Sequence, residues 1–425
     1  MHIALFVVYT VLCAWAILKL PVFRRSGIRP ALLMALFGLH VAAGCIHNVI
    51  AWRYYPGHGD IWDSFQWSLL LRDWLSTDFQ HFLLANSRWT YFTHNGIIFI
   101  HLLLNFISFD NIYINTLLFS FPVFLGNIAL YRVFRRHFPV DPLTAILVFL
   151  LPSTLFWTAC LFREAVLFML LGFFFDQIDR LSPPKPQQHH GILGAKATGA
   201  TGPILSVCCC FLLILYFRFS VGLFLIPALF AKYWIGGCGR KFLLRSSAAI
   251  GIIAIAAFLV FPPFLNRLLV GLGHWQMQFQ QLEGHSRLYL PTLDGTLSGL
   301  FRTTPYALLN GLFQPLPGSG GRPIYFAFSV ELVLTWIIVA IALVRAFFFS
   351  PRRADRQIRT DNSFAAACLV FAFLGMIGIG AMVPFAGAIV RYRSIYLPFL
   401  LAPALHTLRD MPPFRQLNAW LSNRL

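Results

Sequence analysis

The chain has 425 residues, of which 58% are apolar and 11% charged, with a formal net charge of +18. So little charge on so much apolar surface excludes a water-soluble fold, because most side chains must face lipid or other helices. The Lys and Arg excess sits in short loops beside apolar runs, the orientation bias of membrane proteins, and with no polar domain to carry a basic face nucleic acid is excluded as a partner.

In chain order, the first apolar run covers residues 1–20 and lacks a basic n-region or Ala-x-Ala site, so it reads as a retained span. Lys19, Arg24, Arg25 and Arg29 follow it, which places that loop in the cytoplasm and the N-terminus outside. Residues 1–30 form an extra span and its loop. A second span, 31–52, leads into a first outer loop, 53–110, with Asp60, Asp63, Asp73 and Asp78 among arginines. Within that loop the apolar stretch 96–109 has only fourteen residues, short of the ~20 that a span needs. It reads as an interfacial helix, and that choice keeps Arg132, Arg135 and Arg136 inside.

Further spans are expected at 112–131, 142–157 and 164–175, then a Pro- and Gly-rich cytoplasmic linker at 181–203. A helical pair, 204–217 and 219–235, is hinged outside at Arg218, and residues 247–261 cross outward. The membrane module therefore covers 31–262. A long outer loop, 263–323, is too long to be mere connection, and 324–425 supply the closing spans at 324–348, 363–384 and 394–408. This is an all-α polytopic transmembrane helix bundle of about eleven spans, with the C-terminus cytoplasmic.

The eight cysteines form no framework, since Cys208, Cys209 and Cys210 fall in one apolar run, and no CxxC, HExxH or P-loop is present. The glycines Gly375, Gly378 and Gly380 read as close helix packing.

Chemistry-bearing residues gather on the outer side. Asp60 ends the turn-rich run Tyr54-Tyr55-Pro56-Gly57-His58-Gly59 directly after a span. It suits either a base near the membrane surface or a cap for the helix that begins at Ile61. Glu164 follows Arg163 where two spans meet, and an acid at that depth is costly unless paired or functional. Arg218, Arg391 and Arg393 lie outward, against the orientation rule. Their guanidinium groups suit either a lipid phosphate or ordinary headgroups. The long outer loop offers His274, His285, Arg287, Asp294 and Arg302, a mixture found in carbohydrate and phosphate sites as well as in ordinary loops.

The order of these features resembles the GT-C superfamily of membrane glycosyltransferases. The resemblance covers roughly residues 31–175 and the Val390-Arg391-Tyr392-Arg393-Ser394 region. It rests on Gly59-Asp60, the surface helix 96–109, the run Leu130-Tyr131-Arg132-Val133-Phe134-Arg135-Arg136, and Pro152-Ser153 and Phe156-Trp157 ahead of Arg163-Glu164. The adjacent acid pair familiar in that superfamily is absent, since Ile61 follows Asp60, which leaves Asp63 open as a second acid.

The resemblance implies a polyprenyl-phosphate-linked sugar as donor and a glycan, lipid or protein as acceptor, at the outer face of a bacterial inner membrane. Polysaccharide polymerases are within the same likeness. Asp60 would be the base, with Asp63 beside it, and Glu164 would orient the acceptor or hold a divalent ion such as Mg or Mn. Arg163, Arg218, Arg391 and Arg393 would bind the donor phosphate, while His58, His285, Arg287 and Arg302 would line the substrate.

Overall fold

The computed structural model describes residues 1–54, 59–87, 96–138, 141–181, 201–236, 262–282, 286–316, 323–348 and 362–422. Among them all regular structure is helical, apart from an isolated bridge between Arg287 and Phe385. Internal contacts divide the chain into two units, Met1–Gly222 with Met411–Leu425, and Leu223–Asp410.

The first unit runs through α1 (His2–Lys19), α2 (Pro21–Arg24), α3 (Pro30–Tyr54), α4 (Gly59–Thr77), α5 (Phe79–Ser87) and α6 (Gly96–Ser108). It continues with α7 (Ile112–His137), the short α8 (Asp141–Ala145) prolonged by a π turn, α9 (Pro152–Thr158), α10 (Arg163–Leu181) and α11 (Thr201–Phe217). Helix α12 (Phe219–Gly236) leads on to the second unit, made of α13 (Pro262–Gln280), α14 (Leu297–Phe313), α15 (Pro323–Phe348), α16 (Asn362–Met382), α17 (Ala386–Arg393) and α18 (Leu397–Leu408). The last helix, α19 (Pro412–Ser422), belongs to the first unit and packs on α8.

Among the described residues five helices are long and apolar enough to cross a membrane: α1, α3 and α7, with Tyr325–Phe348 of α15 and Ser363–Met382 of α16. A sixth is the pair α9 and α10, bent by 106° at their junction. Eleven spans were expected. Helices α11, α12 and α18 are apolar but shorter, and residues 247–261 lie outside the described residues. The run 142–157 is no single rod either, because Pro152 opens a new helix after the π turn. The fourteen-residue stretch at 96–109 is helical over Gly96–Ser108, as its composition suggested.

The stretch 263–323, expected as a loop, contains α13 and α14. Helix α14 starts where the Thr296 hydroxyl accepts the Gly299 amide at 3.0 Å, an N-cap. Thr296 in turn donates through its hydroxyl and its amide to Asp294, which holds that carboxyl below the usual range. Helix α14 then packs on α16 with Gly311 and Gly380 at the crossing, where a Cβ on either would strike backbone of the facing helix. Gly375 faces the Tyr396 ring and Gly378 the Phe224 ring, so all three glycines of α16 serve close packing.

In the first unit the tightest crossing is α7 on α10. A side chain at Gly172 would collide with the Gly126 carbonyl, and one at Gly126 with the Met169 backbone. Replacing Gly172 by Val must part these helices, and we expect a loss of about 3 kcal/mol or more. Gly38→Ala, where nothing lies within 4 Å of the added carbon, is the control. Thermal unfolding in one detergent compares them, and equal midpoints would show that the crossing is not close.

Neutral polar side chains stitch the other helices of this unit. Asn115 of α7 donates to Asn105 of α6 at 2.6 Å, and Asn105 donates to Ser68 of α4 at 2.9 Å. Asn48 of α3 donates to the Thr116 hydroxyl of α7 at 2.9 Å. All five are buried, so these bonds form away from water and fix which helix faces which.

Candidate functional site

The bend between α9 and α10 places the first turn of α10 inside the first unit. Glu164 is there, 1% exposed, and its carboxylate Oε1 lies 3.3 Å from Nη1 of Arg218. Arg218 occupies the break between α11 and α12, where its amide still bonds the Ile214 carbonyl and its carbonyl accepts from Val221. Two interrupted helices thus bring one acid and one guanidinium together. An acid in the first turn is also where the helix dipole favours negative charge.

Two further residues border this neighbourhood. Arg163, half-buried, acts through space on the Tyr216 hydroxyl in the last turn of α11. Gly96, the first residue of α6, rests on the rings of Phe217 and Tyr216, where a Cβ would come within 2.7 and 3.0 Å. Arg163 and Arg218 set two guanidinium groups at the N-terminus of α10, beside the Glu164 carboxylate. Such a place suits a phosphate oxygen.

The break itself is held by α3. Its segment at Ala159 presses its carbonyl on Gly44, and His47 stands among Phe156, Trp157 and Phe162, with ring centroids 4.7, 5.3 and 5.2 Å away. Next to His47, the Asn48 carbonyl accepts the indole N–H of Trp62 at 3.0 Å. Trp62 lies two residues after Asp60 in the first turn of α4. One contact chain therefore joins the start of α4, the end of α3 and the start of α10.

Asp60 and Asp63 occupy successive positions on one side of α4, both exposed, and Asp60 is in the first helical turn. His58 and His285 lie outside the described residues. In the second unit, Arg393 is only 2% exposed. Its Nη1 donates to the carbonyls of Gln314 at 2.6 Å and Gly311 at 3.3 Å, so this nitrogen closes the end of α14. Arg391 is half-buried, with its guanidinium 5.7 Å from the Tyr392 ring centre. Arg287 gives Nη2 to the Gln280 carbonyl and Arg302 is exposed on α14. His274 is exposed on α13, and the rings of Tyr289 and Tyr306 meet at 5.1 Å.

Several residues of this picture had no sequence signal. His47 and Tyr216 are ordinary members of apolar runs, and only the fold shows what they touch. Asp176 and Asp179 of α10, both buried, bind Arg136 of α7 at 2.9 and 3.1 Å, and Asp179 also meets His137 at 3.1 Å. Among the described residues no group of three or more His, Cys, Asp or Glu side chains is placed to hold a metal ion. Comparison with protein-family models, curated proteins and solved structures finds no match.

Proposed function

We propose that the chain is a membrane glycosyltransferase that moves a sugar from a polyprenyl-phosphate-linked donor to an acceptor at the outer face of a bacterial inner membrane. The observation that carries this reading is the buried Glu164–Arg218 pair at two helix breaks, with Arg163 beside it. In this mechanism Arg218 and Arg163 take the phosphate oxygens and stabilise the charge that develops as the sugar leaves. Glu164, released from Arg218 as the phosphate arrives, accepts a hydroxyl hydrogen bond from the acceptor and orients it. Asp60, at the start of α4, removes the proton from the attacking hydroxyl, with Asp63 one turn further along. A polymerase or ligase that joins lipid-linked oligosaccharides would use the same groups with a longer acceptor.

The test is transfer from a panel of polyprenyl-phosphate sugars in proteoliposomes. Asp60→Asn is expected to lower turnover by about two orders of magnitude or more while the unfolding midpoint stays unchanged. A fully active Asp60→Asn enzyme removes Asp60 from the mechanism.

A transporter of lipid-linked substrate is the second reading, favoured by the same broken helices, since interrupted spans with charged residues line transport sites. It predicts movement of the lipid-linked sugar between leaflets with no glycosidic bond formed, and indifference to Asp60.

A further inference from the structure

At the far end of α7 and α10, away from the helix breaks, a second charged cluster has no part in the proposed reaction. Asp176 and Asp179, 3% exposed, organise it. Asp176 binds Arg136 at 2.9 Å through one oxygen and Arg180 at 3.0 Å through the other, and Arg136 reaches Asp179 as well. Arg132, one turn before Arg136 on α7, has a lesser share: its Nη2 is 3.9 Å from the same Asp176 oxygen that Arg136 already holds.

Arg132 is also within the fields of Arg136, Arg180 and Arg25. Its side chain is 18% exposed, and among the described residues its guanidinium makes no hydrogen bond. Four guanidinium groups therefore face two carboxylates, an excess of two positive charges around a half-buried fork of N–H donors. Residues 19–29 and 182–200, which flank the cluster in sequence, carry no acid, and the first acid after α7 is Asp141.

We propose that this cluster is a binding site for the phosphodiester headgroup of an anionic phospholipid, with Arg132 as its central ligand. A phosphodiester offers two coplanar acceptor oxygens to one guanidinium fork, and its single negative charge answers the local excess. The position favours a lipid over a free anion. The cluster sits where α7 ends in Arg135, Arg136 and His137 and where α1 ends in Lys19, which is headgroup depth for two membrane-crossing helices. Above it, α1 exposes Val7, Val11, Leu12 and Trp15 to acyl chains.

Native mass spectrometry of the full chain in detergent, offered phosphatidylglycerol or phosphatidylcholine, tests the site. One phosphatidylglycerol is expected to stay bound in preference to phosphatidylcholine, and to survive excess inorganic phosphate. Arg132→Gln should weaken its retention about tenfold or more, while Arg29→Gln, outside the cluster, leaves it unchanged. If Arg132→Gln does not fold, Arg132→Lys keeps the charge, loses the fork, and should still weaken retention several-fold. Undiminished retention in the folded variant, equal binding of phosphatidylcholine, or displacement by inorganic phosphate each overturns the proposal, the last by making the ligand a free anion.

Discussion

Replacing Arg218 by Met is expected to destabilise the first unit by about 3–5 kcal/mol, because it takes the Arg218 guanidinium from the buried Glu164 carboxylate. Glu164→Gln should cost less, about 1–2 kcal/mol, since the amide still accepts a hydrogen bond and Arg218, 22% exposed, can turn toward water. The double variant is expected to recover about 2 kcal/mol relative to the sum of the two. Unfolding midpoints of all four proteins in one detergent give the cycle, and simple additivity would mean the pair is not coupled. Transfer activity separates structure from chemistry. If Glu164 and Arg218 act on acceptor and phosphate, the double variant regains stability and stays inactive. Recovery of both would mark the pair as a clamp only.

Arg393→Met is expected to cost the second unit a similar amount, about 3–5 kcal/mol. It strands the carbonyls of Gly311 and Gln314 and removes a positive charge from the field of Glu331, which is 7% exposed on α15. Arg393→Lys keeps the charge but not the fork, and should fall between the two. Arg391→Gln serves as the contrast: two residues earlier and half-buried, it is expected to cost less than Arg393→Met. If Arg393→Met were as stable as the parent, its bonds to α14 would carry no weight.

The two arginines of the Val390–Ser394 run illustrate how far a sequence can be read. That these arginines stand out was legible because they run against the orientation rule, which pointed to a lipid phosphate or ordinary headgroups. Which partner each has was not, since Arg393 meets carbonyls 79 and 82 residues earlier in the chain. Glu164 was legible from the cost of an acid at membrane depth, and its union with Arg218, 54 residues away, needed the fold.

The glycines of α16 were readable because small residues in an apolar helix have few other uses. Asp176 and Asp179 were missed because they stand near the end of α10, where acids look like the start of a solvated loop. The helices of 263–323 were hidden by Pro305, His274 and Arg302, which interrupt the apolar pattern.

The break between α9 and α10 also bears on how the chain enters the membrane. With seven residues, α9 rises only about 10 Å, a third of the ~30 Å hydrocarbon core, so it cannot partition into lipid by its own hydrophobicity. Its seat is on α3, where Gly44 receives the Ala159 carbonyl and His47 its aromatic side chains. Helix α3 is synthesised about a hundred residues earlier, so that seat exists when the break leaves the ribosome. Biogenesis of the first unit is thereby ordered, with long helices inserted first and the short interrupted ones docked onto them afterwards.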